Sequence, residues 1–346
     1  MNYNFNYLKT KNHLILIKKT SIMKKIAITG GSGFVGSAIY RECLKRNDSQ
    51  IFLFDKTKPD YILPNNVSWV ECDTTDFNLV KKCLTEINPD HIYLIAGVLG
   101  TTELNFHPLK AVQNNSVGIS TFIEVLLTME KKPRLFYVTK PNVWENMYTI
   151  TKENAERIIK LYMKEYAIEG CIHKWFNAYG PGQHTHPIRK AVPYFILNAL
   201  HGKPLEIWGN GKQTVDLIHI EDIAYLAVEA MNKEVCTNEN VVDIGTGVSV
   251  TVEDLAKLII KLTGSSSDIV YKNMRAGEVE ETILVANTTG IDNHIVSNYK
   301  FKDLEKGMKD TIEYYRNVSD EHKESFFTYY NSNQHEKYYS HSGSAQ

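Results

Sequence analysis

The sequence has no long apolar run, no excess of charge of either sign and no dense cluster of cysteines. No run approaches the roughly 18 apolar residues that a membrane-spanning helix needs, which argues against an integral membrane protein. The 39 Lys and Arg residues nearly balance the 40 Asp and Glu residues, so a net charge of -1 provides no general attraction to nucleic acid or anionic lipid. With 346 residues, 43% of them hydrophobic, the chain can form one large globular domain or two smaller ones that share a cleft.

The cysteines are widely scattered, with no C-x-x-C pair and no histidine at the spacing of a metal ligand. They are Cys43, Cys72, Cys83, Cys171 and Cys236. This spacing argues against a disulfide-rich scaffold and against a structural zinc site. We expect reduced, mostly buried thiols in a cytoplasmic protein, and no bound metal.

Both ends of the chain have the composition of disordered segments. Residues 1–22 are rich in Asn and Lys, and their apolar patch at residues 14–17 is too short for the core of a signal peptide. Residues 321–346 are rich in Tyr, Asn, His and Ser. We therefore predict a disordered extension over 1–22 and a disordered tail over 321–346.

Short apolar runs alternate with longer helical patterns from residue 23 to residue 177. The runs at residues 25–29, 51–55 and 91–96 are apolar almost throughout, which is typical of parallel strands buried on both faces of a sheet. This pattern predicts a doubly wound α/β domain over 23–177, with its ligand at the carboxyl ends of the strands. A smaller α/β lobe for the substrate follows over 178–320, and part of residues 219–246 could return to the first sheet.

A glycine-rich turn follows the first strand. Residues 31–36 (GSGFVG) fit the pattern G-x-G-x-x-G, with a further glycine before them, and they open a helical stretch. Asp55 ends the second strand about 20 residues later, as the dinucleotide-binding pattern requires. The glycines let the backbone approach a pyrophosphate, and Asp55 would accept hydrogen bonds from the adenosine ribose and repel a 2′-phosphate. We therefore predict a Rossmann domain that binds NAD rather than NADP.

Tyr148 and Lys152 are the second chemical signal. They are four residues apart in a helical stretch, so the phenol and the ammonium lie on one face. Lys152 would lower the pKa of Tyr148 and hold the nicotinamide ribose, while Tyr148 would act as general acid and base toward a hydroxyl or carbonyl. Without the glycine turn, a chance Tyr/Lys pair on a surface helix would be the simpler explanation.

These motifs and several others resemble the extended short-chain dehydrogenase/reductase superfamily, in its NAD-dependent nucleotide-sugar epimerase/dehydratase branch. The resemblance extends from residue 24 to residue 315. It rests on residues 29–36 (TGGSGFVG), 72–76 (CDTTD), 96–97 (AG), 115–118 (NSVG), 175–183 (WFNAYGPGQ), 205–213 (LEIWGNGKQ), 216–222 (DLIHIED) and 275–278 (RAGE).

The resemblance implies a role for each matching position. The catalytic residues would be Tyr148, Lys152 and Thr139. The positions that bind the cofactor would be Gly30, Gly33, Phe34, Val35, Gly36, Asp55, Lys56, Asp73, Thr74, Ile95, Ala96, Gly97, Tyr148 and Lys152. The positions that bind the substrate would be Asn177, Arg189, Val192, Ile207, Gln213, Arg275 and Glu278, with Arg275 on the diphosphate and Glu278 on the ribose.

The segment after the fifth strand departs from the family pattern. Relatives have a Ser/Thr-rich stretch there that supplies a hydroxyl to the substrate oxygen. In this chain Lys140 falls on the usual hydroxyl position and Thr139 lies one residue earlier. Thr139 is the expected donor, and Lys140 and Asn142 remain as alternatives.

The connection from Thr139 to Tyr148 is also shorter than in most relatives. The short connection brings Glu145 close to the expected site, but it lacks the Asp-Glu pair by which 4,6-dehydratases eliminate water. A standard 4,6-dehydration is therefore disfavoured, and Glu145 or Glu103 would have to act as an unusual acid or base.

Val215 is the third departure, because many relatives have a second diphosphate-binding arginine at its position. Lys212 and Arg189 are the cations that the sequence offers to compensate for it. Without compensation, the nucleotide would bind more weakly or in a different position.

The residues and the resemblance together predict an NAD-dependent enzyme that acts on a nucleotide-diphosphate sugar through a 4-keto intermediate, with 4-epimerisation as the favoured outcome. The enzymatic alternatives are C4 oxidation, 4-keto reduction and an atypical dehydration. A catalytically silent NAD-binding regulator is the alternative from another class. The family commonly dimerises through two helices per subunit, here predicted over 108–129 and 148–166, so we expect a homodimer.

Overall fold

A sheet of seven parallel strands lies at the centre of the fold, and a smaller lobe is joined to it. The computed structural model describes residues 23–46, 48–233, 241–275, 277–279 and 281–332, together with the backbone of residues 6–10 and 13–17. The strands are β1 (Asn6–Thr10), β2 (His13–Ile17), β3 (Lys24–Thr29), β4 (Ser49–Asp55), β5 (Val67–Glu71), β6 (His91–Leu94), β7 (Arg134–Thr139), β8 (Gly170–Trp175), β9 (Asn177–Tyr179), β10 (Leu205–Trp208), β11 (Thr214–His219), β12 (Val241–Ile244), β13 (Ser249–Thr251) and β14 (Ile269–Lys272). The helices are α1 (Phe34–Leu44), α2 (Phe77–Ile87), α3 (Glu103–Phe106), α4 (Pro108–Ala111), α5 (Gly118–Thr128), α6 (Met147–Glu165), α7 (Ala191–Leu200), α8 (Ile220–Asn232), α9 (Val252–Thr263), α10 (Thr289–His294), α11 (Leu304–Arg316) and α12 (Asp320–Asn331), with a π-helical segment, Val112–Val117, between α4 and α5.

The large sheet has the strand order β12-β8-β7-β6-β3-β4-β5, and every neighbouring pair is parallel. The first strand of this sheet along the chain, β3, lies in its middle. The chain continues outward through β4 and β5 and then returns to β6 on the other side of β3. The strand order therefore reverses between β3 and β6, and a crevice for a ligand opens at such a point. This order confirms the predicted doubly wound α/β fold.

Helices cover both faces of the large sheet. One face packs against α1 and α8, and the other packs against α2, α5 and α6. Every residue of β6 is buried, as are the last four of β3. Parallel strands covered on both sides need apolar residues at successive positions, which explains why these runs do not alternate with polar residues.

Residues that follow position 177 complete this sheet and its cover. β12 pairs with β8 in the register Val241↔Ile172, so it forms the edge of the large sheet. α8 packs against α1, with Met231 and Leu226 fully buried beside Ile39. Part of residues 219–246 thus lies against the first sheet.

The smaller lobe has its own apolar core. It contains the parallel pair β10–β14 and the three-stranded sheet β13-β11-β9. Apolar side chains of α7, α9, α11 and α12 pack together beside these strands, and Ile196, Ile259 and Met308 are fully buried there. The lobe therefore has a rigid support for the loops that it presents to the large sheet.

The prediction of a disordered tail is wrong for residues 321–332, because α12 occupies most of this stretch. Phe326 is fully buried, and its ring lies 5.9 Å from that of Tyr194 and 4.8 Å from that of Tyr330. The Tyr-, Asn- and Ser-rich composition concealed an aromatic face, which packs on α7. Residues 333–346 lie outside the described residues.

The prediction of a disordered extension is wrong for residues 6–10 and 13–17. These residues form the antiparallel pair of β1 and β2, in the register Asn6↔Ile17. An apolar run that is too short for a signal peptide is long enough for a strand of a hairpin. The rest of 1–22 lies outside the described residues.

The expectation of reduced cysteines holds at three positions and is wrong at a fourth. Cys43, Cys72 and Cys83 are buried free thiols, and burial raises the pKa of Cys43 to about 12. Cys171 is disulfide-bonded. Spacing along the sequence does not show which sulfur atoms the fold brings together.

We predict that Phe326→Ala lowers the free energy of unfolding by about 3 kcal/mol, because it removes a fully buried aromatic ring and leaves a cavity. Urea denaturation followed by circular dichroism would measure the change. Glu324→Ala, at an exposed position of the same helix, is the control and should have little effect. Equal stability of the two variants would show that α12 does not pack on the lobe.

Candidate active site

A cavity of about 740 Å³ opens at the carboxyl ends of the central strands and continues toward the smaller lobe. Most of the predicted site residues line this cavity. They are Gly30, Gly33, Phe34, Val35, Gly36, Asp55, Lys56, Thr74, Ile95, Ala96, Gly97, Thr139, Tyr148, Lys152, Asn177, Arg189, Val192, Arg275 and Glu278. Three predicted site residues, Asp73, Ile207 and Gln213, do not line it.

The glycine turn between β3 and α1 brings the backbone close to itself. Gly30 has φ +67°, and a methyl group at Gly36 would collide with the carbonyl oxygen of Gly30. α1 then begins with Gly33 at its N-cap, with no side chain capping it and no acidic residue in its first turn. Its free N–H groups and the positive end of its dipole therefore face the cavity, and a pyrophosphate fits there.

Asp55 lies at the carboxyl end of β4, next to the glycine turn. One carboxylate oxygen accepts a hydrogen bond from the backbone N–H of Ser32 (3.1 Å), and the other accepts one from the backbone N–H of Thr57 (3.1 Å). Each oxygen keeps a lone pair for a further donor. The fixed carboxylate can therefore accept hydrogen bonds from ribose hydroxyls, and its charge would repel a 2′-phosphate.

Asp73 does not line the cavity, but it contacts Lys56, which does. Its carboxylate forms an ion pair with Lys56 (2.8 Å) and accepts hydrogen bonds from the backbone and hydroxyl of Thr75. Burial raises the pKa of Asp73, but these bonds outweigh burial and the pKa is lowered overall. Asp73 thus holds the Lys56 side chain at the edge of the cavity.

The wall formed by residues 95–97 is held by polar side chains. The Thr29 hydroxyl accepts hydrogen bonds from the backbone N–H groups of Ile95 (2.9 Å) and Ala96 (3.0 Å). Asn115 bonds the backbone N–H (2.8 Å) and carbonyl (3.1 Å) of Val98, and its amide also donates to the hydroxyl of Thr151 (3.1 Å). Asn115 therefore ties this wall to α6, the helix that carries Tyr148 and Lys152.

Asn115 lies in the π-helical segment, where the sequence predicted an uninterrupted helix over 108–129. Asn115 is buried, so its amide groups need partners inside the protein, and Val98 and Thr151 supply them. Such π-helical turns are frequent at functional sites.

Tyr148 and Lys152 lie on the first two turns of α6 and face the cavity. Asn146 caps this helix, because its side-chain oxygen accepts the backbone N–H of Thr149 (2.8 Å). The Lys152 ammonium lies 4.4 Å from the centre of the Tyr137 ring. The cap and the ring thus fix both residues at the edge of β7.

Burial changes the pKa values of Tyr148 and Lys152 so that the neutral form of each residue is favoured. It raises the pKa of Tyr148 to about 12 and lowers the pKa of Lys152 to about 7, against a small opposing effect of Glu156 on Lys152. The expected lowering of the Tyr148 pKa by Lys152 is therefore not present in the ligand-free cavity. A bound group that brings positive charge or hydrogen bonds close to Tyr148 would be needed to lower the pKa of Tyr148.

Thr139 and Lys140 differ in what they offer to the cavity. The Thr139 hydroxyl is buried and makes no hydrogen bond within 3.5 Å to another described residue, but it lies close enough to the Glu156 carboxylate to help lower the pKa of Glu156. The Lys140 ammonium forms an ion pair with Glu153 (2.7 Å) and a hydrogen bond to the backbone carbonyl of Asn142. Lys140 thus braces the connection after β7, and Thr139 is the residue of the two that brings a hydroxyl to the cavity.

The predicted substrate residues fall into an available group and an engaged group. The Asn177 amide nitrogen is buried at the cavity wall, with no hydrogen-bond partner in the described parts of the chain. The Arg189 guanidinium bonds the side chain (3.1 Å) and backbone carbonyl (2.7 Å) of Glu206 and lies between the rings of Tyr194 and Trp208. Asn177 is therefore available to a ligand, whereas Arg189 already has its partners.

Arg275 and Glu278 form an ion pair (2.7 Å) at the cavity wall. Glu278 also accepts a hydrogen bond from the hydroxyl of Thr101 (2.6 Å). Burial raises the pKa of Glu278, but Arg275 and Thr101 outweigh it and keep the pKa below its usual value. The face of Trp208, 4.5 Å from the guanidinium carbon, further orients Arg275.

α12 holds the loop that leads to Arg189. The hydroxyl of Thr185 lies within hydrogen-bond distance of both His186 (3.0 Å) and His322 (3.3 Å), and Tyr330 donates to the carbonyl of Thr185 (3.0 Å). Tail residues that the sequence placed in a disordered segment thus support one wall of the cavity.

The sequence analysis missed several residues at the cavity wall, among them Trp144, Lys190 and Thr101. The indole N–H of Trp144 donates to the carbonyl of Gly277 (2.9 Å), which joins the connection after β7 to the loop of Arg275. Glu145, which the short connection brings near the site, is exposed and does not line the cavity. The motifs did not predict which of these side chains face the cavity.

No group of three or more His, Cys, Asp or Glu side chains within the described residues could hold a metal ion. No helix within the same ranges is both long enough and apolar enough to cross a lipid bilayer.

Comparisons with known proteins agree with the fold and the motifs. The sequence profile of the NAD dependent epimerase/dehydratase family matches residues 26–245. A UDP-N-acetyl-alpha-D-glucosaminuronate decarboxylase of Bacillus cytotoxicus is 26% identical over 335 residues, which cover 86% of this chain and 99% of that protein. A putative UDP-glucose 4-epimerase of Methanocaldococcus jannaschii is 27% identical over 318 residues, which cover 84% of this chain and 98% of that protein.

A solved structure has the same fold over most of its length. The UDP-glucose 4-epimerase of Thermotoga maritima, solved with UDP-glucose, matches with a TM-score of 0.76 and 24% sequence identity. The match covers 84% of this chain and 98% of that chain.

We predict that Lys152→Met raises the melting temperature of the ligand-free protein. Burial lowers the pKa of Lys152 to about 7, so between pH 7 and the usual lysine pKa the unfolded chain binds more protons than the folded one. The lysine therefore destabilises the fold increasingly as the pH falls from 10 to 7, and the advantage of the variant should grow over the same interval.

Differential scanning fluorimetry from pH 6 to pH 10 would measure this advantage. Lys164→Met is the matched control, because Lys164 is an exposed lysine of the same helix. An advantage that did not change with pH would contradict the lowered pKa.

Proposed function

This chain belongs to the NAD-dependent epimerase/dehydratase family, and we propose that it is a 4-epimerase of nucleotide-diphosphate sugars. The family is enzymatic, its cofactor is NAD, and the resemblance identified from the motifs is confirmed. The observation that carries the proposal is the wall between β7 and α6. Thr139 and Tyr148 line the same cavity, and the residues of this connection that line it, Lys140, Pro141, Asn142 and Trp144, include no carboxylate.

The residues of the dinucleotide half fit NAD. The glycine turn leaves no room for a side chain at Gly36, α1 presents an uncapped N-terminus, and Asp55 is fixed for the ribose hydroxyls. NAD, when bound, supplies a hydride acceptor for the sugar carbon and a positive charge beside Tyr148.

Tyr148 is the group that we propose takes the proton from the C4 hydroxyl. Its phenol has to be ionised for this step, and burial opposes ionisation. The positive end of the α6 dipole favours the phenolate, and the Lys152 ammonium would add to this effect once a bound ligand offsets its burial. The Thr139 hydroxyl would donate a hydrogen bond to the sugar oxygen and hold it beside Tyr148.

Epimerisation requires that the 4-keto sugar presents its other face and takes the hydride back. Tyr148 would then return the proton to the same oxygen, so the cycle needs no second acid or base. Elimination of water would need one, and on the wall after β7 the side chains facing the cavity belong to Lys140, Pro141, Asn142 and Trp144. The described residues after β7 thus offer no acid for elimination, and dehydration would have to use Glu103, which lines the cavity from a different segment.

We predict that the protein converts a member of a panel of UDP-, dTDP-, GDP- and CDP-sugars into a product of unchanged mass, with no lasting NADH. Tyr148→Phe should reduce the rate by about 100- to 10,000-fold and should leave NADH binding intact, because it removes only the proton-transfer group. Mass spectrometry and nicotinamide absorbance would be followed together. Tyr162→Phe, on the same helix and stacked on Tyr166, is the control.

Other products would contradict 4-epimerisation in distinct ways. Lasting NADH with a product two hydrogens lighter indicates C4 oxidation, and a product lighter by one water indicates dehydration. Loss of carbon dioxide from a uronic acid substrate indicates decarboxylation, the activity named for the relative from Bacillus cytotoxicus. If NADH binds and no sugar reacts, the chain is a silent NAD-binding regulator.

We also propose that the protein forms a homodimer through α4, the π-helical segment and α6. These elements lie side by side and present apolar side chains to solvent, including Leu109 (68% exposed) and Leu161 (55% exposed), together with Val112, Val117 and Ile150. A two-fold axis would bury this face against its copy, which removes the apolar area from water.

We predict that Leu161→Glu converts the dimer into a monomer, because dimerisation would then bury a charge in this apolar face. Light scattering coupled to gel filtration would measure the mass. Ile62→Glu, at an apolar residue that is 97% exposed elsewhere on the surface, is the control and should stay dimeric. A wild-type protein that is monomeric at micromolar concentration would contradict the proposal.

A further inference from the structure

We propose that the indole of Trp144 is the surface on which the sugar ring of the substrate stacks. This inference rests on the proposed function, because it takes a nucleotide-diphosphate sugar as the ligand. Trp144 lies in the short connection between β7 and α6, outside the motifs that carry the family resemblance. Two observations support its role: the part of the indole that a ligand can contact, and the two segments of the site that Trp144 joins.

The indole is held in one orientation at the cavity wall. Trp144 is half-buried and lines the cavity. Its N–H donates a hydrogen bond to the backbone carbonyl of Gly277 (2.9 Å), and the side-chain amide of Asn146 donates to the same carbonyl (3.3 Å). Gly277 has φ +81°, and a methyl group there would lie 2.9 Å from the side-chain nitrogen of Asn105. The carbonyl that receives the indole N–H is therefore itself fixed by a close backbone approach.

The bond to Gly277 occupies the single polar atom of the indole. A tryptophan side chain has one donor and no acceptor, so Trp144 offers a ligand only the apolar surface of its rings. The faces of a pyranose ring present C–H groups, and these groups pack well on an aromatic face. A phosphate would lose hydration against the same surface without gaining a hydrogen bond. The chemistry of the indole therefore suits the sugar and not the diphosphate.

The position of Trp144 favours the sugar over the nucleobase as well. Gly277 lies between Arg275 and Glu278, the residues expected to bind the diphosphate and the ribose. Tyr148, expected at the C4 hydroxyl, follows Trp144 by four residues on the first turn of α6. In a nucleotide-diphosphate sugar, the ring connects the diphosphate at C1 to the hydroxyl at C4. The sugar therefore has to span the same two segments that the Trp144 bond joins.

The other residues of this wall are less suited to the same contact. The Lys140 ammonium is engaged by Glu153 and by the carbonyl of Asn142, and Pro141 has no aromatic face. An apolar surface also suits 4-epimerisation, because the 4-keto ring has to present its other face before the hydride returns. Hydrogen bonds to its hydroxyls would break in that step, whereas an apolar contact has no fixed direction.

Isothermal titration of the full chain with UDP and with UDP-glucose would test this role, with NADH present so that the sugar is not oxidised. The ratio of the two affinities isolates the contribution of the sugar. Trp144→Ala should weaken UDP-glucose binding relative to UDP binding by about 5- to 30-fold, because it removes the apolar face. Trp144→Phe should keep most of this ratio, because phenylalanine retains an aromatic face.

The comparison of these two variants separates stacking from bracing. Both variants lose the hydrogen bond to Gly277, so a loss of UDP affinity that they share reports on that bond alone. Val143→Ala, at a neighbouring residue that is 79% exposed and does not line the cavity, is the control and should bind both ligands like the wild type. The dTDP, GDP and CDP pairs would be used if UDP does not bind.

The outcomes distinguish this inference from the proposed function. If the wild type binds none of these nucleotides and sugar nucleotides, the proposed function fails and this inference fails with it. If the wild type binds a pair and Trp144→Ala keeps the same ratio of affinities, only this inference is overturned. The same loss of the ratio in Trp144→Phe would also overturn it, because the N–H rather than the ring face would then act.

The nucleobase is the remaining occupant of the indole surface. Equal losses of UDP and UDP-glucose affinity in Trp144→Ala, with both affinities kept in Trp144→Phe, would place the base there and overturn the inference. Unchanged NADH binding verifies that each variant is folded. If Trp144→Ala fails this check, Trp144→Leu, which fills more of the space but has no aromatic face, takes its place with the same expected loss.

Discussion

The close approach of the backbone to itself at the glycine turn is the constraint on which the rest of the site depends. A side chain at Gly36 would collide with the carbonyl oxygen of Gly30, so α1 can start directly at the end of β3 only with glycine there. That start directs an uncapped helix N-terminus into the crevice where the strand order reverses. The cofactor half of the cavity follows from this one turn, because Asp55 and the wall at residues 95–97 are both bonded to residues next to it.

Polar anchors, rather than apolar packing alone, connect the cofactor half to the reactive residues. Asn115 joins the wall beside Val98 to α6, and Asn146 caps α6 just before Tyr148. Each anchor uses the directional bonds of an amide, which fix orientation more narrowly than a hydrophobic contact does. His322 of α12 likewise holds the loop before Arg189, because its imidazole lies within hydrogen-bond distance of the Thr185 hydroxyl, which also contacts His186. The positions of the site residues are therefore set from three separate parts of the chain.

The distribution of charge in the cavity explains how the ligands and the protein depend on each other. Arg189 and Arg275 have carboxylate partners, whereas Lys152 and Lys190 do not. Burial raises the pKa of Tyr148 and lowers the pKa of Lys152, so it opposes the charged form of each residue. A bound dinucleotide would supply charge beside these residues, which couples cofactor binding to the ionisation that the proposed reaction needs.

Local patterns in the sequence determined the elements whose signals are themselves local. The buried parallel strands, the glycine turn with Asp55 after β4, and the Tyr148/Lys152 pair on one helix were all predicted, because each depends on spacing within a few residues or on the period of a strand or helix. The family and its cofactor followed from the same motifs. The tertiary structure alone decided which cations face the cavity and which have a partner. Arg189 was predicted to bind the substrate and Lys190 was not, yet the carboxylate of Glu206 on β10 binds Arg189, whereas Lys190 lines the cavity without an ion pair to any described residue. The same limit applies to α12, whose polar composition concealed Phe326 until the fold placed it against Tyr194. Whether a charge is paired or a ring is buried depends on residues distant in the chain, and no pattern within one segment contains that information.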